Sequence, residues 1–250
     1  MKKFFTLIAA VAMAASVNAQ TETVVIPALA DGVKSETYSG EKTLKTVNAQ
    51  IVLGADGEPF TVKPGKLAND APYVSYIQGK SNAKDADGIG YSVAKANLPT
   101  KGCYYVFSAS KPGKVEIGMQ LGVAKSFFVC DGETGQNSVT KTLIDKTGAT
   151  ITLGVNTDAD GKDIPESVAE KFYGMVNFNV EANKSYYVFC TGSKLAFYGY
   201  QFTPGTDTGI SNINASEAAN EGATFNLLGQ KVASNAKGLV IKNGKKFINK

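Results

Sequence analysis

FYGMVNFNVEANKSYYVFCTGSKLAFYGYQF, residues 172–202, reads as three strands in succession. Val176, Phe178 and Val180 alternate with Asn177 and Asn179, the period-2 pattern of a half-buried strand. Glu181-Ala182-Asn183-Lys184 is a polar turn. Tyr186 to Cys190 is a second strand, Thr191-Gly192-Ser193-Lys194 another turn, and Leu195 to Phe202 an aromatic-rich third strand.

The stretch has an echo upstream. Cys103-Tyr104-Tyr105-Val106-Phe107, a turn, and Lys114-Val115-Glu116-Ile117-Gly118 match Tyr186-Tyr187-Val188-Phe189, a turn, and Lys194-Leu195-Ala196-Phe197-Tyr198-Gly199. One duplicated frame is too little for a solenoid, which stacks several repeats. It reads as two equivalent hairpins of one sandwich, or as a pair of ligand platforms built from Tyr.

Working outward, the pattern stays β. Thr23 to Ile26, Ala49 to Leu53, Phe60 to Val62 and Tyr73 to Gln78 are short β-branched or aromatic runs separated by Gly, Pro, Asn and Asp. Val115, Ile117, Met119 and Leu121 face one way and Lys114, Glu116, Gly118 and Gln120 the other. Phe127 to Cys130, Thr140 to Ile144 and Thr150 to Val155 follow. Asn156 to Glu170 reads as a long acidic loop with one helical turn at Pro165 to Lys171. Ten or so short strands without an amphipathic helix are the pattern of an all-β sandwich or barrel. The strand ending at Phe202 is expected to pair with an early strand through Greek-key connections.

Lys2 and Lys3, the apolar run Phe4 to Ala15 and the small-residue site Val17-Asn18-Ala19 form a signal peptide over residues 1–19. That apolar run is too short to span a bilayer, and no other approaches a span. No Cys follows the cleavage site to take a lipid. Residues 20–203 are the sandwich, 204–209 a linker by composition (Pro204-Gly205-Thr206-Asp207-Thr208-Gly209), and 210–250 a small β domain. In that last part Asn243-Gly244 sits between Gly238–Ile241 and Lys245–Ile248 as a hairpin turn.

The net charge of +4 comes from the ends. The signal contributes two Lys, and the tail six Lys against Glu217 and Glu221, so residues 20–208 are slightly acidic. Every basic residue is Lys; without Arg, bidentate phosphate reading is lost and nucleic acid is not an expected partner. With no His, imidazole acid–base catalysis, the Ser-His-Asp triad and imidazole metal sites are excluded. With no Trp, sugar stacking falls to the 11 Tyr and 13 Phe. Cys103, Cys130 and Cys190 each lie in or beside an apolar strand, and their spacing leaves open a bridge between two of them or three buried thiols.

The tail resembles the C-terminal sorting domains of the type IX secretion system of gram-negative bacteria. The matching residues are Gly209-Ile210, Phe225-Asn226-Leu227-Leu228-Gly229-Gln230-Lys231-Val232 and Lys237 to Lys246. The resemblance implies export across the outer membrane by that machinery and a secreted or surface location. The body is similar to the β-sandwich modules that accompany pectate lyases and other polysaccharide-degrading enzymes. The carrying residues are Val176 to Phe189, Gly192 to Phe202 and Pro99 to Phe107. This implies a jelly-roll, galactose-binding-like β-sandwich with a carbohydrate role, here without an attached catalytic domain.

Two sets of residues are candidate sites. Tyr198 and Tyr200 share a face with Ala196 and Phe202 by alternation, which makes them either core or a sugar-stacking platform. Asn156-x-Asp158-x-Asp160-Gly161 matches the front half of a calcium loop, with oxygen donors at alternate positions before a Gly. The closing acid is missing, because Ser167 stands six residues after the Gly and Glu166 misses by one. Asp85-Ala86-Asp87-Gly88 repeats the core of that motif, and an ordinary Asp-Gly turn explains both. Glycosidases need two carboxylates at defined separation, and no spacing singles out a pair. The expected function is a secreted, non-catalytic polysaccharide-binding protein with calcium as a candidate structural ion. A structural or adhesive surface protein is the alternative, and a polysaccharide lyase or hydrolase the third. An exposed Tyr cluster favours the first and a fully buried aromatic set the second.

Overall fold

Strand alternation becomes a layer wherever one side of a sheet faces another sheet. In the computed structural model, which describes residues 20–54, 59–67, 72–192, 194–205, 224–225, 231–233, 237–242 and 245–249, the layers are two antiparallel sheets. The signal segment, residues 206–209 of the linker and the Asn243-Gly244 turn lie outside the described residues. The chain divides into two compact units, Met1–Thr206 and Asp207–Lys250.

The strands of the first unit begin with β1 (Glu22–Val25), β2 (Glu36–Thr37), β3 (Thr43–Lys45), β4 (Ala49–Gly54), β5 (Thr61–Pro64) and β6 (Ser75–Gln78). Next come β7 (Tyr104–Ala109), β8 (Gly113–Leu121), β9 (Phe127–Asp131), β10 (Lys141–Asp145) and β11 (Thr150–Ile151). The last are β12 (Gly154–Thr157), β13 (Asp163–Ser167), β14 (Phe172–Val180), β15 (Ser185–Cys190) and β16 (Ala196–Pro204). The larger sheet runs β11-β10-β14-β8-β16-β6-β5-β2, with β1 also paired to β16. The smaller runs β3-β4-β7-β15-β9, and β12–β13 is a separate hairpin. The protein is all-β, a sandwich of these two sheets. As the sequence leads one to expect, the last long strand returns to the first, with Glu22 opposite Phe202.

Aromatic rings join the layers. Phe107 of β7 meets Tyr200 at 5.4 Å between centroids, Phe202 at 6.0 Å and Phe178 at 6.4 Å. Tyr105 meets Phe197 at 5.1 Å. Val115, Ile117, Met119 and Leu121 of β8 and Val176 and Phe178 of β14 complete this buried cluster. Both outer faces carry smaller apolar patches. Ala83 and Tyr91, with Leu98 beside them, pack on Phe128, Cys130 and Phe189 behind the smaller sheet. Leu67 and Tyr73 pack on Ala196 and Tyr198 behind the larger.

The echoed frame is not a pair of hairpins. Each copy starts in the smaller sheet and crosses to the larger, β7 to β8 and β15 to β16. The two first halves pair with each other, and so do the two second halves. Antiparallel pairing then sets opposite residues of the two frames inward. Tyr105 and Phe107 point into the main core from the first, Tyr186 and Val188 from the second.

Three tight loops share one chemistry: Asp85 to Ile89, Asp145 to Ala149 and Asp158 to Lys162. In each, the first and last residues exchange a backbone hydrogen bond of 2.9 to 3.0 Å, and the Gly N–H donates to the Asp carbonyl at 3.0 to 3.1 Å. The Gly adopts positive φ, 79° at Gly88, 89° at Gly148 and 78° at Gly161. The Asp carboxylate accepts backbone N–H groups two and four residues on. That is an Asx turn closed by a left-handed Gly. It also corrects the acidic loop with a helical turn expected at residues 156–170. Asp158 to Lys162 folds the chain into the β12–β13 hairpin, Asp163–Ser167 is a strand, and Pro165 is tolerated there because this pair is isolated.

In the second unit β17 (Thr224–Phe225), β18 (Lys231–Val232), β19 (Gly238–Lys242) and β20 (Lys245–Asn249) form a sheet ordered β18-β17-β19-β20. Lys242 opposes Lys245.

Candidate functional site on the outer face of the smaller sheet

Tyr198 and Tyr200 do not share a face. The ladder between β16 and β8 shifts between Phe197 and Gly199, so Tyr198 and Gly199 together oppose Gly118. This is a β-bulge, and Gly199 has φ 138°. Strict alternation would align positions 196, 198, 200 and 202. The extra residue instead leaves Ala196 and Tyr198 on the outer face and turns Tyr200 and Phe202 into the core. Both tyrosines are buried, at 1% and 0% exposure, so neither ring is offered to solvent. Burial holds both phenols well above the usual tyrosine pKa. The Tyr200 hydroxyl donates to the carbonyls of Leu44 and Ala49, at 3.3 and 3.2 Å.

Asn156, Asp158 and Asp160 sit on the β12–β13 hairpin. Asn156 Nδ2 donates across the hairpin to the Ser167 carbonyl and Oγ, both at 3.0 Å. Asp158 Oδ1 accepts the N–H groups of Asp160 and Lys162, at 3.1 and 2.9 Å. Asp158, the third position of the motif that Asn156 opens, thus uses Oδ1 to shape the turn. Among the described residues no three Asp, Glu, Cys or His side chains gather as a metal-binding group.

The tyrosines brought together in near-parallel stacking are Tyr104 and Tyr187. They belong to the two echoed frames and meet because β7 and β15 pair, Tyr104 opposite Phe189 and Val106 opposite Tyr187. Their rings lie 6.0 Å apart and within 10° of parallel on the outer face of the smaller sheet. Both are half-buried. Tyr104 lies over Gly54, where a Cβ would come within 2.3 Å of its ring, so the glycine makes the seat for the tyrosine. Val52 and Val106, also half-buried, continue the face beside Tyr187.

Two residues further along the strands the face turns polar. Gln50 and Ser108 oppose each other, and Gln50 Nε2 donates to Ser108 Oγ at 3.3 Å. They line an open cavity of about 470 Å³ with Lys45, Asn48, Ser110 and Asn183. Val47, 76% exposed, is part of its wall. The Asn48 side chain is tied to Glu22, and the Ser110 hydroxyl donates to the Asn48 carbonyl at 3.2 Å. Parallel rings followed by amide, hydroxyl and ammonium groups can stack on an apolar sugar face and hydrogen-bond its hydroxyls. The only sequence signal for this pair was the YYVF echo, which names the tyrosines but not their meeting.

The outer face of the larger sheet offers a purely polar row. Thr142, Asn177, Glu116, Gln201 and Thr23 stand opposite one another across five strands. Lys114 pairs with Glu116 at 3.0 Å. Thr142 and Asn177 also line a cavity of about 510 Å³ together with Asp131 and Glu181. Asn177 Oδ1 is shielded from solvent and accepts no hydrogen bond from any described residue. The half-buried rings of that face, Tyr173 and Tyr76, lie further along the strands, and Tyr76 meets Tyr198 at 5.2 Å and 44° rather than in parallel.

No family model and no curated protein matches the chain.

Proposed function

We propose that this chain is a secreted, non-catalytic β-sandwich protein that binds polysaccharide at the cell surface or outside the cell. The binding surface is the outer face of the smaller sheet. The observation that carries the reading is the near-parallel pair Tyr104 and Tyr187, followed along the strands by Gln50, Ser108 and the polar cavity. Rings and hydrogen-bonding groups one row apart match the alternating apolar faces and hydroxyl edges of a sugar chain. The jelly-roll, galactose-binding-like assignment and export through a type IX sorting tail belong to the same proposal. Their support is the motif order in residues 99–107, 176–202 and 209–246. A structural or adhesive surface protein without a soluble ligand is the second reading, and the burial of Tyr198 and Tyr200 favours it.

The test is affinity electrophoresis of the full chain through gels holding pectin, xylan, glucan or mucin glycans, with calcium and with chelator. The expected result is retardation on one polysaccharide, reduced about tenfold or more by Tyr187→Ala and by Tyr104→Ala. It is not expected to change in chelator, because the Asp158 loop is closed by its own backbone. Unchanged migration on every gel moves the weight to the structural reading.

A further inference from the structure

The β15–β7 ladder runs from Ser185 opposite Ser108 to Phe189 opposite Tyr104. The ladder stops there; carrying its register on by one residue would set Cys190 against Cys103, and all three cysteines are thiols in this structure. Both side chains point into the core between the sheets, at 1% and 0% exposure. Burial pushes both thiols up, Cys103 adds to the shift of Cys190, and the Cys103 sulfur lies 3.5 Å from the Tyr105 hydroxyl. Cys130 is elsewhere. It stands opposite Tyr187 on the outer face, among Ala83, Tyr91, Phe128 and Phe189, with the sheet between it and the other two. Facing residues in an antiparallel pair have Cα atoms about 4.5 to 5.5 Å apart. A disulfide spans about 4.4 to 6.8 Å.

We propose that Cys103 and Cys190 close a cross-strand disulfide in the mature protein, and that Cys130 remains a buried thiol. Two S–H bonds break and one S–S bond forms. The two electrons and two protons pass to the S–S bond of an oxidised disulfide donor, which leaves as two thiols. Because both sulfurs are sealed in the finished core, the exchange takes place while the chain is still folding. The surroundings tolerate the loss of the protons. Cys103 Sγ is 3.3 Å from the Leu195 carbonyl, but that oxygen also accepts from the Tyr105 hydroxyl at 2.7 Å and stays satisfied. The Gly79 N–H that donates to Cys103 Sγ at 3.2 Å keeps its acceptor. The bridge ties β7 to β15 at the residue next to Tyr104, and so fixes the register on which the Tyr104–Tyr187 pair depends. It stands or falls independently of what those tyrosines bind.

The test uses the full chain, reduced and unfolded, then refolded in a buffer of reduced and oxidised glutathione. Remaining thiols are alkylated under denaturing conditions before intact-mass and peptide analysis. The expected product carries one alkyl group, on Cys130, and the peptides of Cys103 and Cys190 are joined. Cys130→Ser is expected to keep the bridge. Reduction of the wild type is expected to lower its thermal midpoint by roughly 5 to 15 °C and to leave Cys103→Ser unaffected. Three alkylated cysteines in the refolded protein, or any bridge that includes Cys130, overturns the proposal. Since wild type and Cys130→Ser carry the decisive masses, a variant that fails to fold does not obscure the answer.

Discussion

Gly199→Ala is expected to damage the larger sheet by both backbone strain and overpacking. The backbone at Gly199 has φ 138°, a region essentially closed to residues with a side chain. A Cβ there would lie 2.2 Å from the carbonyl oxygen of Val24 and 3.0 Å from the Val25 Cα. Both contacts are backbone atoms of β1, which pairs with β16 from Glu22 opposite Phe202 to Val25 opposite Gly199. No side chain can rotate to make room; either the bulge straightens or β1 lifts away. Backbone strain of about 1–3 kcal/mol and overpacking of similar size sum to about 4 kcal/mol. For a unit of this size that lowers the thermal midpoint by roughly 8 to 16 °C. Thermal unfolding followed by circular dichroism measures it. Amide exchange adds a local readout, because the Ile26 N–H donates to the Tyr198 carbonyl at 3.0 Å and is expected to lose protection first. A midpoint within about 2 °C of wild type, with Ile26 still protected, refutes the argument.

Two further predictions concern the core and the turns. Phe107→Ala removes the ring that touches Phe178, Tyr200 and Phe202 and is expected to cost about 3–5 kcal/mol by urea denaturation, whereas Val106→Ala, on the outer face, is expected to cost far less. The Asp145 carboxylate is held below the usual range by the Thr147 hydroxyl and by the Ala149, Thr147 and Gly148 backbone. A depressed folded pKa gives stability that is present above the unfolded value, about 4, and is lost as the pH falls through the folded value. The gap in urea midpoint between wild type and Asp145→Ala is therefore expected at neutral pH and to close under acid. A gap that stays constant to strongly acid pH contradicts it.

Which strands could be read from the sequence depended on what covered their outer side. β8 and β14 have the core on one face and polar residues over much of the other, so alternation located them: Val115 and Ile117 against Lys114 and Glu116, Val176 and Phe178 against Asn177 and Asn179. β9 gives no such signal. Phe127, Phe128, Val129 and Cys130 are all buried, because Tyr91 and Ala83 cover the outer side as the larger sheet covers the inner. A strand with two apolar faces reads as a run, and a run does not say which residue points where. The turns at Asp85 and Asp158 were legible for the opposite reason. Asp-x-x-Gly carries its whole geometry within five residues, but a carboxylate shaping a turn and one leading a calcium loop have the same spelling.

The candidate site was hidden by the same non-locality. Tyr198 and Tyr200 stood out because they are close in sequence, and period 2 puts residues two apart on one face. That inference fails at a bulge, and Gly199, the one residue that permits the bulge, was visible only as the closing Gly of the echoed frame, matched to Gly118. Tyr104 and Tyr187 are far apart in the chain. They face the same side because antiparallel register sets Tyr104 opposite Phe189 and Val106 opposite Tyr187, and no local pattern encodes that sum. The duplicated frame does bear on it. Two copies of a strand that crosses from one sheet to the other can satisfy their edges by pairing with each other, first half to first half and second half to second half. In antiparallel pairing the copies then expose non-equivalent residues, so duplication in sequence yields a surface with two different tyrosines side by side rather than two identical platforms. A search for paired platforms in duplicated β-frames must therefore start from register, with equivalence of position as the thing to be explained.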